Sequence, residues 1–85
     1  MTNSINNIKT QVKSYINKAV HVEKDKIHND SLIFKEGYFD SMGLVMLISF
    51  IEESFNIDIK DEDLVEENFE SINAISDFIS RKTRN

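Results

Sequence analysis

The sequence contains no cysteine, no proline and no tryptophan, and its 85 residues include only two glycines. Without cysteine there are no disulfides and no thiolate metal ligands, so any thiol chemistry has to come from a cofactor. Without proline, and with so little glycine, the usual breakers of helices are scarce, which favours an all-α chain. No apolar run is long enough for a bilayer. The longest, Met42 to Ile51, is interrupted by Gly43 and Ser49 and spans about half of the ~20 residues that a crossing needs. The first residues, MTNSINNIKTQVK, lack the apolar core of a signal peptide. A cytoplasmic protein with no membrane insertion is expected. At this length one domain, residues 1–85, is expected, with a modest core and little room for a walled enzyme pocket.

What is present is unevenly distributed. The net charge of −5 is the balance of three unlike segments. Residues 1–39 hold six lysines against four acids, whereas residues 40–77 hold eleven acids and only Lys60. The last eight residues restore Arg81, Lys82 and Arg84. The acidic second half repels nucleic acid and steers basic partners toward itself. The plainer reading is that the acids keep a small domain soluble.

Apolar spacing predicts four helical pieces. Ile5, Ile8, Val12, Ile16 and Ala19 recur at threes and fours, and Thr2, Asn3 or Ser4 can cap that helix. Residues 21–40 form a long connection with turn signals at 29–31 and 36–37, and Ile27, Leu32, Ile33 and Phe34 are placed to anchor it. A second helix starts near Ser41, with Leu44, Leu47, Ile48, Ile51 and Phe55 as its core stripe and Asn56 as its stop. Ile57 and Ile59 alternate as in a short extended piece, and a short helix then runs through Leu64 and Val65. Ser71 caps a last helix whose Ile72, Ile75, Phe78 and Ile79 share one face. The expected architecture is a small four-helix bundle, three main helices and one short one, with a long loop between the first and second.

Few residues can carry chemistry. DEDLVEENFE from Asp61 has the acid density of a calcium loop, but Val65, Glu66 and Ile72 stand where that loop needs a polar ligand, a glycine and a glutamate. No metal site is expected. His21 and His28 both fall in the long loop and read as exposed, and nothing arranges either as a base for Ser41. No catalytic residue is expected. That leaves FDSMG, where one hydroxyl, Ser41, precedes the most apolar segment. Asp40 or Ser41 can be a helix cap. Ser41 can also be an attachment point, because a helix N-terminus favours an anionic phosphodiester.

The stretch FDSMGLVMLISFIEESFNIDIKDEDLVEENFESINAISDFI resembles the acyl and peptidyl carrier proteins. The matching series is Asp40-Ser41-Met42, an apolar helix from Leu44 to Ile51, Glu52-Glu53-Ser54-Phe55-Asn56-Ile57-Asp58-Ile59, the acidic Asp61-Glu62-Asp63, and Phe69 to Ile79. The likeness runs from about residue 5 to about residue 80. It implies a stand-alone, monomeric carrier that catalyses nothing itself. Ser41 would take 4′-phosphopantetheine from coenzyme A through a phosphopantetheinyl transferase. The cofactor would hold an acyl or aminoacyl group as a thioester. The partners implied are the loading enzyme and the downstream synthase or transferase enzymes. Asp40, Met42, Val45, Met46, Glu52 and Glu53 are the expected docking residues. The chain departs from fatty-acid carriers at Gly43 and Met46, where those usually place acids, and at Met42, which replaces a leucine. Met42 then reads either as part of an exposed apolar contact surface or as buried under the long loop. The departures point to a specialised polyketide or nonribosomal-peptide type of pathway. A housekeeping fatty-acid carrier and an unmodified acidic interaction module are the alternatives.

Overall fold

The computed structural model describes residues 5–20 and 27–83. Four helices account for most of them: α1 (Ile5–Val20), α2 (Ser41–Phe55), α3 (Glu66–Phe69) and α4 (Ile72–Thr83). A 3₁₀ turn over Asp61–Asp63 precedes α3, and no strand occurs among the described residues. The expected all-α bundle of three main helices and one short one is what forms.

The core lies where the apolar spacing put it except at the ends of α1, where Ile5 is half-buried and Ala19 is exposed. Ile8, Val12 and Ile16 of α1, Leu47, Ile51 and Phe55 of α2, and Ile72, Ile75, Phe78 and Ile79 of α4 are all buried. In each helix these positions recur at threes and fours, so each buries a single stripe. Leu44 and Ile48 flank the α2 stripe and are half-buried. Phe50 lies outside the stripe yet finds a partner: its ring stacks on Tyr15 of α1, with centroids 4.2 Å apart. α4 packs against each of the other three helices.

The described part of the long connection is fastened rather than loose. Ile27 and Ile33 are fully buried, and Leu32 and Phe34 are half-buried. Two backbone bonds fasten it around the start of α4: Ile33 N–H donates to the Glu70 carbonyl at 3.0 Å, and Asn73 N–H donates to the Asn29 carbonyl at 2.9 Å. Gly37 turns the chain with φ +85°, a conformation that side chains disfavour. Phe39 then enters the core just before α2. His28 is exposed. His21, the candidate caps Thr2, Asn3 and Ser4, and Arg84 lie outside the described residues.

The short helix is displaced from its expected place. Leu64 and Val65 are not helical; they separate the 3₁₀ turn from α3. The reason lies in what the Asp63 carbonyl and carboxylate bind. The Asp63 carbonyl accepts the Asn68 side-chain amide at 2.8 Å and the Val65 N–H at 2.9 Å, so it is not available to continue the turn as a helix. Val65 is extended and serves as the N-cap residue of α3. The end of α2 and the start of α4 match their signals. Asn56 ends α2 in the left-handed conformation (φ 54°), and the Ser71 hydroxyl accepts the Ala74 N–H at 3.1 Å.

Candidate functional site

Asp40, not Ser41, caps α2. Asp40 is extended, its Oδ1 accepts the Gly43 N–H at 2.9 Å, and its carbonyl accepts the Leu44 N–H at 3.0 Å. Ser41 is therefore the first helical residue. It is exposed, and its hydroxyl makes no hydrogen bond among the described residues. The capping task has been separated from the hydroxyl one residue later. The first-turn N–H groups lie beside that hydroxyl, at the positive end of the α2 dipole, where an anion is favoured.

Two apolar surfaces flank this position. Met42, Val45 and Met46 share one exposed face of α2, at 66%, 58% and 59% exposure. The reading of Met42 as buried beneath the loop does not hold. Toward α3, Leu64 and Val65 are also exposed, at 45% and 43%. They line a groove of about 180 Å³ together with Phe34, Leu44, Glu66 and Phe69. A larger open cleft of about 530 Å³ lies on the other flank, where the end of α1 meets the chain leading into α2. Tyr15, Val20, Tyr38, Phe39, Gly43 and Met46 are among its walls, with Asp40 and Met42 beside Ser41.

The two glutamates expected to meet partners are in different situations. Glu53 is exposed. Glu52 is half-buried, and its Oε2 accepts the Ile59 N–H at 3.0 Å, so it also ties the non-helical 57–60 stretch to α2. Among the described residues no group of three or more histidines, cysteines or acids is arranged to hold a metal ion. Nor is any described helix long and apolar enough to cross a membrane.

A clasp behind α3 escaped the sequence reading. Asp63 Oδ2 accepts the Lys60 N–H at 3.0 Å and the Lys82 ammonium at 2.9 Å. Arg81 reaches Asn68 Oδ1 at 3.1 Å. The end of α4 is thereby tied to the 3₁₀ turn and to α3. The Lys60 N–H, and then the Lys82 ammonium, hold the Asp63 carboxyl below the usual aspartate range. Burial pushes the Tyr15 hydroxyl up. Nothing in the sequence linked Lys82 to an acid 19 residues away. The Phe39–Gly43 approach was equally hidden: a Cβ on Gly43 would meet the Phe39 ring at 3.2 Å, so the glycine lets the ring lie against α2.

The family model described as the phosphopantetheine attachment site matches residues 10–79. An acyl carrier protein of Buchnera aphidicola from Schizaphis graminum is 32% identical over 80 residues, covering 94% of this chain and 99% of that protein. A second, from the Baizongia pistaciae subspecies, is 37% identical over 75 residues, 88% of this chain and 94% of its own. The acyl carrier protein of Akkermansia muciniphila is 30% identical over 77 residues, 91% of this chain and 90% of its own. These relatives are carriers rather than catalysts. With the match running through α2, the acidic turn and α4 alike, the chain belongs to the acyl carrier proteins, whose prosthetic group is 4′-phosphopantetheine.

Proposed function

We propose that Ser41 is the attachment residue and that the chain delivers an acyl or aminoacyl group to a set of partner enzymes. The observation that carries this is the division of labour at the start of α2. Asp40 satisfies the helix end through its 2.9 Å bond to Gly43, which leaves the Ser41 hydroxyl exposed and uncommitted among the described residues. The residues suit the group. A phosphodiester on Ser41 Oγ would lie beside the first-turn N–H groups and the positive dipole end. When bound, the group supplies a terminal thiol that holds the cargo as a thioester. Everything else falls to this chain's own residues: Asp40 fixes the helix start, and α2 presents the tether with Met42, Val45 and Met46 around it.

The docking face supports a dedicated set of partners. Its centre is apolar, and its acids are displaced to Glu53 and to the rim from Asp58 to Glu67. A partner with an apolar seat and a basic rim suits that face. Such a partner fits a specialised polyketide or nonribosomal-peptide type of pathway. General fatty-acid synthesis is the alternative. Transfer of cargo to enzymes of one class and not the other, measured on the loaded carrier, separates the two.

The test of the tether is chemical. Purified protein is incubated with coenzyme A, magnesium and a broad-specificity phosphopantetheinyl transferase, and intact masses are recorded. One phosphopantetheine is expected on the natural chain and none on Ser41→Ala. No addition to the folded natural chain would overturn the assignment and favour an unmodified acidic docking module.

A further inference from the structure

The chain has no cysteine, so all of its sulfur lies in three methionines. Two of them, Met42 and Met46, are both exposed and stand about one turn apart on α2, directly after Ser41. The third, Met1, lies outside the described residues. Resting on Ser41 as the tether and on this side of α2 as the docking face, we propose that Met42 and Met46 form a paired oxidation site. A peroxide weakens docking there, and a sulfoxide reductase restores it.

Access is the first argument. The core positions of α2 are filled by Leu47, Ile51 and Phe55, whereas both thioether side chains lie on the solvent side. A peroxide in solution reaches them without any opening of the fold. Val45, the other exposed apolar residue of this face, supplies contact area but no sulfur. Leucine or valine at 42 and 46 would supply similar area and stay inert, so the two thioethers make the face responsive. No cysteine in the chain competes for the oxidant.

The chemistry is the second argument. A lone pair on the thioether sulfur attacks one peroxide oxygen. The S–O bond forms as the O–O bond breaks, and the departing hydroxide takes the proton of the transferred oxygen and leaves as water. Sulfur is oxidised by two electrons and the peroxide is reduced. The product is a polar, chiral sulfoxide in place of a flexible apolar side chain. Its return needs a reductase with two thiols, which become a disulfide as the sulfoxide oxygen leaves as water.

Placement is the third argument. A transferase that brings coenzyme A to the Ser41 hydroxyl covers the exposed start of α2. Met42 is the next residue, and Met46 lies only about 40° further around the helix. A sulfoxide in that contact has to be desolvated or to keep water in the interface. Losing the burial of one or two apolar side chains corresponds to a roughly tenfold fall in kcat/KM for loading.

The experiment uses the unloaded full chain, because the thiol of the arm would itself react. The chain is treated with hydrogen peroxide, the excess is destroyed with catalase, and intact mass with peptide mapping locates each added oxygen. Loading by the transferase is then timed, each protein against its own untreated sample. The expected result is one oxygen on each of Met42 and Met46, an unchanged far-ultraviolet circular dichroism spectrum and loading slowed by that factor. Reductases for both sulfoxide epimers should restore the rate. Met42→Leu/Met46→Leu should show the same rate with and without peroxide, and Met42→Gln/Met46→Gln should load slowly without it. An undiminished rate in a chain that carries both oxygens would overturn the proposal. So would an equal slowing of the leucine variant, which would put the effect at another residue. Loss of helicity on oxidation, or no recovery after reduction, would overturn it as well. A natural chain that fails to load before any peroxide overturns the tether reading and this proposal with it; normal loading that peroxide does not change overturns the oxidation site alone.

Discussion

Asp40→Ala and Ser41→Ala, one residue apart at the same helix end, should behave in opposite ways. Asp40→Ala removes the Oδ1 acceptor that holds the Gly43 N–H at 2.9 Å and deletes a negative charge from the positive end of α2. Loss of a side-chain cap costs about 1 kcal/mol, within a range of about 0.5–2. The charge at a helix N-terminus contributes about 0.3–1 kcal/mol of its own. The expected loss is therefore about 1–2 kcal/mol. For a domain of this size each kcal/mol lowers Tm by about 4–8 °C. Ser41→Ala removes an exposed hydroxyl that makes no hydrogen bond among the described residues, so its cost should stay within about 0.5 kcal/mol. Asp40→Asn keeps an oxygen acceptor and should lose only the share that belongs to charge. Urea titrations followed by far-ultraviolet circular dichroism measure all three, alongside the mass assay for loading. Ser41→Ala should be near-native in stability and blocked in loading. If it loses as much stability as Asp40→Ala, the hydroxyl is part of the cap and the separation of roles is wrong.

Gly37→Ala should destabilise by about 1–2 kcal/mol, because φ is +85° there and no neighbouring atom lies close enough for the new methyl to gain contacts; a neutral result in the same titration would mean the turn relaxes at no cost. Leu47→Ala, at a fully buried α2 position, should cost about 2–5 kcal/mol, which removes much of the stability of a domain this small. Asp63 is titrated below its ordinary value in the folded chain, so its contribution is present above about 3.8 and is lost as pH falls through the lowered folded value. The Tm of the natural chain should therefore fall more steeply below that pH than the Tm of Asp63→Asn, and parallel curves would contradict the clasp. Glu53→Lys and Asp58→Lys should slow partner association mainly at low salt. Glu52→Lys should also lower stability because it breaks the bond to Ile59 N–H, and stopped-flow rates with parallel thermal melts separate the two effects.

What the sequence made legible is what depends on local spacing. The stripes Ile8-Val12-Ile16 and Ile72-Ile75-Phe78-Ile79 could be read because burial on a helix repeats every three or four residues, and no distant information is needed. Ser71 and Asn56 were readable for the same reason: a cap is decided within one turn. The short helix near Leu64 was misplaced because its limits are set by Asn68 reaching back to the Asp63 carbonyl and by Lys82 arriving from α4. Neither contact leaves a periodic trace. Glu52 looked like a surface acid because nothing local shows that it serves the N–H of Ile59.

The same distinction explains the start of α2. Composition allowed Asp40 and Ser41 to share the capping role, and only the 2.9 Å bond to Gly43 assigns it to Asp40. That assignment has a functional consequence. A hydroxyl that caps a helix has its lone pair engaged with a backbone N–H, and modifying it would weaken the helix that presents it. A hydroxyl at the first helical position has no such task, so a group can be added to it and the helix end keeps its cap. Glycine at position 43 fits the same economy: its N–H receives the cap, and its missing side chain admits the Phe39 ring that anchors the incoming loop. Asp40, Ser41 and Gly43 thus divide capping, exposure and packing among three neighbouring positions. The helix end can then stay rigid while the chemistry on Ser41 changes.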